Sequence, residues 1–259
     1  MARKQRAAAE ATNGQEDLIG RTTAERMIGR GPAMWLAGDP ADLKIWLPRG
    51  GAGVVTNTVV LDDMTQKYGQ MTEVVKRYLD ITDKPVAVEV DGHSTQELLD
   101  VAHVFTRLSE QVVIKIPCTV HALEAFSALA AARVDTMCTT AFSLTQAAIA
   151  AQAGATHILP FCEPFKAAGV DPTHHVREYV EMFAGWEQRP YVTAALVRSV
   201  DVAQAALRDG ADGIIVFWQI FREMLQNPLT DDWNQMFLDR WNNMHAAGLL
   251  QGVPVAATR

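Results

Sequence analysis

Lys115 is the residue whose setting in this sequence points most directly to covalent chemistry. It interrupts an otherwise apolar run, Val112–Pro117 (VVIKIP), that has the composition of a strand buried on both faces. A lysine inside such a strand cannot extend its ammonium group to water, and burial lowers the pKa of the amine. A neutral amine is a nucleophile suited to attack on a carbonyl carbon. The other interpretation is a buried ion pair with an inward carboxylate, which Glu89 at the end of the preceding strand could provide.

Polar side chains at neighbouring strand ends fit the same chemistry. Asn57 follows the letters VVT, Glu89 stands within VAVEV, and Thr139 ends the run TMCT. Formation and hydrolysis of a Schiff base need a water molecule held by a carboxylate and a hydroxyl beside the amine. Glu89 and Thr139 lie on the two strands that flank the lysine strand and could hold that water. A strand-end threonine or asparagine also commonly satisfies backbone groups, so the hypothesis depends on the combination.

From residue 34 onward the chain alternates short apolar runs with amphipathic helical stretches. The candidate strands are Met34–Leu36, Gly53–Thr56, Pro85–Val90, Val112–Pro117, Asp135–Thr139, His157–Phe161, Tyr191–Ala194 and Gly213–Phe217. Eight strand–helix units in about 200 residues predict an α/β fold, a single (β/α)8 TIM barrel. A doubly wound sheet is disfavoured because the segment MWLAGDPAD has one glycine where a phosphate-binding turn needs several. Active sites of such barrels lie at the carboxyl ends of the strands.

The two ends of the chain are expected to differ from the barrel repeat. Residues 1–33 are interpreted as an N-terminal extension, flexible or partly helical, and residues 34–259 as the barrel with an extra C-terminal helix. That helix is predicted over Thr230–Gly248, with Trp233, Phe237 and Trp241 at helical spacing. It packs either on the barrel or on a neighbouring subunit; the pattern supports both interpretations equally.

Composition excludes several classes of partner. The chain has 259 residues, 49% hydrophobic and 20% charged, with a net charge of −7, which argues against general binding to nucleic acid or an anionic membrane. No apolar run approaches the roughly 20 residues of a membrane span. The cysteines, Cys118, Cys138 and Cys162, form no C-x-x-C pair, and no histidines stand at ligand spacing. We therefore expect reduced thiols in a cytoplasmic protein without a metal site.

Four segments also carry a family resemblance. Gly53–Leu61 (GVVTNTVVL), Val112–Thr119 (VVIKIPCT), Thr136–Phe161 and Asn227–Trp241 (NPLTDDWNQMFLDRW) resemble successive segments of the small-subunit transaldolases and fructose-6-phosphate aldolases. The matches follow one another along nearly the whole barrel. The resemblance implies class I aldolase-type chemistry on small-molecule carbonyl substrates, with no cofactor.

The resemblance assigns roles to individual residues. Lys115 matches the family's Schiff-base lysine, and Asn57 matches the asparagine that binds the donor's hydroxyl groups. Glu89 and Thr139 match the pair that positions the catalytic water. Phe161 stands where the aldolases have tyrosine and the transaldolases phenylalanine. A phenyl ring cannot activate water, so the enamine left after C–C cleavage would persist until an aldehyde arrives, which favours transfer over simple cleavage.

Departures from the family pattern concern proton transfer. The family's first strand ends in an aspartate that moves the proton during C–C cleavage, and Ala37 stands at or near that position. Asp39, one or two residues along, or Asp91, after the third strand, could take over the role. The sequence leaves this assignment open.

The phosphate pocket of the family is also altered. Pro164 falls where an arginine is expected and Leu196 where a serine is expected, while Arg198 is retained. Because each lost charge-assisted contact is worth about 1.5–3 kcal/mol, the substrate is expected to differ from a typical sugar phosphate. Trp35, on the first strand, is a candidate to line the mouth and cover an apolar part of that substrate.

These observations predict a transaldolase-like Schiff-base enzyme that moves a ketol unit from a ketose donor to an aldehyde acceptor. One alternative is an aldolase that uses an unphosphorylated hydroxyketone donor. Another is a catalytically silent barrel that serves as an assembly or binding subunit. The resemblance further implies a homo-oligomer, a pentamer or decamer, with C-terminal helices reaching across subunits.

Overall fold

The computed structural model describes residues 31–163, 168–169 and 172–250. The chain divides into two units, Met1–Phe221 and Arg222–Arg259, which are described separately. Residues 1–30, on which most of the predicted N-terminal extension falls, and Pro164 lie outside the described residues.

The first unit is a closed barrel of eight parallel strands whose neighbours follow the order of the chain. The strands are β1 (Ala33–Ala37), β2 (Gly53–Val55), β3 (Val86–Glu89), β4 (Val112–Pro117), β5 (Thr136–Ala141), β6 (His157–Pro160), β7 (Tyr191–Ala194) and β8 (Gly213–Phe217). The pairing of β1 with β8 closes the barrel. The prediction of a (β/α)8 barrel is therefore confirmed.

Helices connect the strands. They are α1 (Pro40–Trp46), α2 (Thr58–Tyr68), α3 (Met71–Asp80), α4 (Thr95–Thr106), α5 (Val120–Ala131), α6 (Leu144–Gln152), α7 (Pro172–Phe183), α8 (Val200–Arg208) and α9 (Trp218–Glu223). Ser94, Thr119, Ser143 and Ser199 each cap the following helix, since each side-chain oxygen accepts a backbone N–H from the third residue along. These caps end the loops just after the strands, at the end of the barrel where active sites form.

Small and aromatic side chains fill the barrel interior together. The cluster includes Trp35, Val113, Met137 and Leu159, all essentially buried. Gly53 makes room for the indole, because a Cβ there would lie 2.6 Å from the Trp35 ring and 2.7 Å from a backbone oxygen. The lower and middle parts of the barrel are therefore a packed core rather than a channel.

The second unit contains α10 (Pro228–Ala246), which begins at the Asn227 cap. None of its residues is buried, and the rings of Trp233 and Phe237 lie 5.6 Å apart on its surface. The sequence placed this helix at Thr230–Gly248. Among the described residues, none of the helices has the length and apolarity that a membrane span requires.

Candidate active site

A cavity of about 220 Å³ opens at the carboxyl ends of the strands. Its polar lining comes from β2 to β5 and the residues just after them: Thr56, Asn57, Thr58, Glu89, Lys115 and Thr140. The opposite lining comes from the ends of β1, β6, β7 and β8: Ala37, Phe161, Ala195, Leu196, Val197, Ile215 and Phe217, with Arg198 beyond them. Val55 and Val59 also line the first side. Because all the polar lining side chains apart from Arg198 lie on that side, we call it the polar wall and the opposite side the apolar wall.

Lys115 lies at the base of the polar wall. Its residue surface is only 4% exposed, because the strand on either side of it is apolar and packs into the barrel. Its Nζ donates a hydrogen bond to the carbonyl oxygen of Thr56 at 3.1 Å and forms an ion pair with the carboxylate of Glu89. Glu89 is the residue paired with Lys115 in the register of β3 and β4, so the sheet itself brings the two together.

Burial shifts both members of this pair toward their neutral forms. Desolvation lowers the pKa of Lys115 below its ordinary value, although the Glu89 carboxylate opposes this. Desolvation raises the pKa of Glu89 above its ordinary value, although Lys115 opposes this in turn. The proton therefore lies between two groups that both accept it, and the amine is available in its nucleophilic form more often than a surface lysine.

Thr56 organises the pair and was not singled out by the sequence analysis. It is buried; its hydroxyl donates to the Ala87 carbonyl at 3.0 Å and accepts the Glu89 backbone N–H at 3.1 Å. Its own carbonyl receives the Lys115 amine. The sequence feature that could have identified Thr56 is its position as a threonine at the end of an apolar strand, directly before Asn57.

Asn57 lines the cavity and caps α2 at the same time. Its Oδ1 accepts the Val60 backbone N–H at 2.8 Å, so its Nδ2 group is left as the donor that can meet a ligand. Thr58 follows, and its backbone N–H donates to the Glu89 carboxylate while its hydroxyl donates to Asp91 at 2.9 Å.

Thr139 and Thr140 occupy the end of β5, where the backbone is irregular. The Thr139 hydroxyl is buried with no hydrogen-bond partner among the described residues, and Thr139 is not among the residues that line the cavity. Thr140, which the sequence analysis did not select, lines the cavity with a φ of +54°. The register between β5 and β6 shifts between Cys138 and Ala141, and this irregularity brings Thr140 to the mouth.

The two carboxylates considered for proton transfer do not line the cavity. Asp39 caps α1 and accepts from Lys67 at 2.5 Å and from the Tyr68 hydroxyl at 2.7 Å. Partial burial opposes ionisation of Asp39, but these hydrogen bonds outweigh it and hold its pKa below the ordinary value. Asp91 is exposed and bonded to Thr58. Among the described lining residues, Glu89 is the one carboxylate.

The remaining predicted substrate residues separate into two groups. Phe161, Leu196 and Arg198 line the cavity; Leu196 has a φ of +52°, and Arg198 is exposed. Trp35, expected at the mouth, lies instead in the barrel core, fully buried with its ring edge-on to His157. An apolar strand pattern identifies an inward residue but not its depth along the barrel, which is why Trp35 was misplaced.

Known proteins of one family resemble this chain over most of its length. A sequence profile of the family described as "Transaldolase/Fructose-6-phosphate aldolase" matches residues 59–246. A protein named "Probable transaldolase" from Desulforudis audaxviator is 33% identical over 190 residues, 73% of this chain and 88% of that protein. Another of that name, from Caulobacter vibrioides, is 29% identical over 204 residues, 78% of this chain and 94% of that protein.

The solved structure of 2,3-dimethylmalate lyase, a member of the PEP mutase/isocitrate lyase superfamily, superposes with a TM-score of 0.56. It is 15% identical, and the match covers 92% of each chain, so this likeness concerns the fold alone. The family profile, by contrast, covers strands β3 to β8 and the lining residues from Val59 onward. The chain belongs to the transaldolase/fructose-6-phosphate aldolase family, within the aldolase–transaldolase class of enzymes.

Proposed function

We propose that this protein is a class I transaldolase that moves a ketol unit from a ketose donor to an aldehyde acceptor through a Schiff base on Lys115. The observation that carries the proposal is a buried lysine, bonded to the Glu89 carboxylate, at the base of a cavity. A purely structural ion pair would need no adjacent space. An open volume beside the nitrogen gives a carbonyl carbon room to approach it.

The reaction begins when the neutral amine of Lys115 adds to the donor's ketone carbon. Glu89 delivers a proton to the resulting carbinolamine, water leaves, and a protonated imine forms. The imine then withdraws electrons from the adjacent C–C bond, an aldehyde departs and an enamine remains. Addition of the enamine carbon to a second aldehyde makes the new C–C bond, and hydrolysis of the imine restores the amine.

Glu89 is also our candidate for the proton transfer that accompanies C–C cleavage. Cleavage requires a base for the hydroxyl proton of the donor, and Ala37 stands at or near the first-strand position from which the family's aspartate would act. Glu89 is the one carboxylate among the described lining residues, and burial raises its pKa above the ordinary value, so it accepts a proton more readily than an exposed carboxylate does. Asn57 would bind the donor hydroxyls through Nδ2, and the unpartnered Thr139 hydroxyl would hold the water of imine hydrolysis.

Transfer is favoured over simple cleavage by the nature of the wall opposite the amine. Phe161 places a phenyl ring there, against Phe142 at 5.6 Å, and supplies no hydroxyl to activate water. Because no activated water lies beside such a wall to protonate the enamine, the enamine would persist until an aldehyde binds. An aldolase with an unphosphorylated hydroxyketone donor is the second candidate, and product analysis separates the two: free donor released without an acceptor indicates the aldolase.

The substrate is proposed to lack a phosphate. The Leu196 side chain carries no hydrogen-bonding group, and Arg198 is the one arginine or lysine besides Lys115 among the described lining residues. Arg198 is exposed, so a phosphate would gain a single contact screened by water.

Borohydride trapping tests the central proposal. Incubation with fructose or dihydroxyacetone, followed by reduction, should add the mass of the bound ketone less one oxygen atom to the peptide that contains Lys115, because water leaves and two hydrogens are gained. With fructose, the bound ketone is either the whole sugar or the three-carbon unit left after C–C cleavage. The Lys115→Ala variant should give no adduct, and Lys76→Ala, at an exposed position on α3, should react like the native protein. Absence of any adduct with several ketones would contradict the proposal and favour the silent barrel.

We further propose that the protein assembles as a homo-oligomer through α10. Leu229, Trp233 and Phe237 are large apolar side chains that are all exposed on this helix. Such a surface is stabilised when a second copy covers it. Light scattering of the native protein should give a mass several times 28.4 kDa, and a Trp233→Ser, Phe237→Ser double variant should lower it. A monomeric native protein would contradict the proposal.

A further inference from the structure

The apolar wall of the cavity supplies no reacting group to the chemistry at Lys115. The amine, its carboxylate and the donor-binding Asn57 all belong to the polar wall, on β2 to β5. Phe161, Leu196, Ile215 and Phe217 face them from the other half of the barrel and cannot hydrogen-bond. This half of the cavity is where the group beyond the reacting carbon must lie, because the ketol unit occupies the half that holds the amine.

The backbone of Ala195 adds no free polar group to this wall. The N–H of Ala195 donates to the Pro160 carbonyl at 2.9 Å, and the Ala195 carbonyl accepts from the Cys162 N–H at 3.0 Å. Both polar groups of this lining residue are therefore committed to the pairing that joins the ends of β6 and β7. A sugar hydroxyl placed against Ala195 would lose its water and gain no partner.

Leu196 is held at the wall in an unfavourable backbone conformation. Its φ of +52° lies in the left-handed region, which a leucine adopts at a cost. Of the three non-glycine residues with positive φ among the described ones, two, Leu196 and Thr140, line the cavity. Strained residues concentrate at binding sites, where the surrounding structure holds them for the contact they provide.

We propose that the acceptor is an aldehyde with an apolar substituent, branched alkyl or aryl, which lies against Phe161, Leu196 and Phe217. This inference rests on the proposed transfer function and deepens it. A substituent of this kind removes apolar surface from water on both sides of the contact, whereas a polyhydroxylated or phosphorylated acceptor loses hydration against these side chains and gains only the exposed Arg198 as a charged partner. The cavity's 220 Å³ suits a substituent of a few carbon atoms beside a short ketol unit.

The test compares acceptors with one donor. With fructose as donor, kcat/KM for 3-methylbutanal and phenylacetaldehyde should exceed that for glyceraldehyde and for glyceraldehyde 3-phosphate at least tenfold. Leu196→Ser should narrow or invert this ratio, because it gives the wall a hydroxyl. Ile149→Ser, which replaces an exposed residue of α6 outside the cavity, should leave the ratio unchanged. Circular dichroism establishes that both variants fold.

The outcomes separate this inference from the function on which it rests. A Lys115 adduct together with a preference for glyceraldehyde or its phosphate overturns the apolar acceptor and keeps the Schiff-base enzyme. Absence of the adduct overturns both. If the enzyme only cleaves, the same comparison is made with β-hydroxyketones that carry isobutyl or glyceryl groups, and faster cleavage of the glyceryl compound overturns the inference.

Discussion

Lys115 and His157 are two basic side chains buried within one barrel, in surroundings of opposite kinds. Lys115 stands fourth in β4, bonded to a carboxylate beside a cavity. His157 begins β6; its Nδ1 lies 3.2 Å from the Thr193 hydroxyl, and the Trp35 and Tyr191 rings pack against it. Desolvation lowers the pKa of both, that of His157 to about 4.

The difference between the two sites is the space beside the nitrogen. His157 does not line the cavity, and aromatic rings cover it, so its lowered pKa only keeps a neutral imidazole in the core. Lys115 has open volume on one side and an acid on the other. A perturbed pKa therefore identifies burial, and a functional assignment needs room for a substrate as well.

The largest predicted effect follows from removing the amine. Lys115→Met should lower transfer activity at least about a thousandfold, because no other side chain of the polar wall can form an imine. His157→Gln is the matched control and should retain activity within a few fold. Steady-state assays of both variants measure this difference in activity. Comparable losses of activity in the two variants would contradict the assignment of Lys115 as functional and His157 as structural.

Removal of the Glu89 carboxylate should slow turnover while Lys115 still forms an imine. Glu89→Gln should lower kcat by about a hundredfold or more, because the proton carrier is lost. The pKa of Lys115 should fall further, since Glu89 opposes its lowering by burial. Borohydride trapping should therefore persist and extend to lower pH than in the native protein. Unchanged turnover would show that Glu89 is only an ion-pair partner.

His157 should make folding sensitive to acid. The pKa of its imidazole is about 4 in the folded barrel against 6.5 ordinarily, so between these values the unfolded chain binds a proton that the folded chain excludes. Stability is then lost as the pH falls from 6.5 to 4, by roughly 3 kcal/mol from this residue. Urea unfolding at about pH 7.5 and pH 4.5 should show a smaller acid loss in His157→Gln; parallel losses would contradict the assignment.

The core around Trp35, whose ring packs on His157, is so closely packed that one added methyl group at Gly53 should destabilise the fold. Gly53→Ala should lower the free energy of unfolding by about 1–3 kcal/mol, because the new Cβ would overlap the Trp35 ring and a backbone oxygen. Gly185→Ala is the control, since nothing lies within 4 Å of its Cβ position. Thermal melting of both variants measures the difference, and equal effects would mean that the core around Trp35 yields easily.

The smallest effect concerns the cysteines and sharpens the distinction between buried and accessible groups. A hydrogen bond from the Cys138 thiol lowers the pKa of half-buried Cys118 to about 7, whereas burial raises that of Cys162 to about 12. Iodoacetamide should therefore alkylate Cys118 first, with a rate that rises through pH 7 as the thiolate forms. Cys138→Ala should slow this reaction at pH 7 and Cys162→Ala should not; modification of Cys162 first would contradict both assignments.

Several features of the site were predictable because they depend on local pattern. The apolar run around Lys115 indicated that this lysine is buried. The alternation of side chains along β3 indicated that Glu89 faces the same side of the sheet as Lys115. The prediction of β5 over Asp135–Thr139 ended before Thr140, because the shift of register against β6 depends on the neighbouring strand. Asp39 was a reasonable candidate on spacing alone, and only the positions of Lys67 and Tyr68 show that it is engaged elsewhere.

The amino-acid sequence by itself determined the barrel, the burial of Lys115 and the neighbouring carboxylate, because periodicity of two along a strand is a local property. The tertiary structure alone decided that Thr56 receives the amine, that Trp35 lies in the core, and that the cavity divides into a polar and an apolar wall. These outcomes depend on which residues meet when eight strands far apart in the chain close into a ring, and that meeting is set by strand register and backbone strain rather than by any single segment.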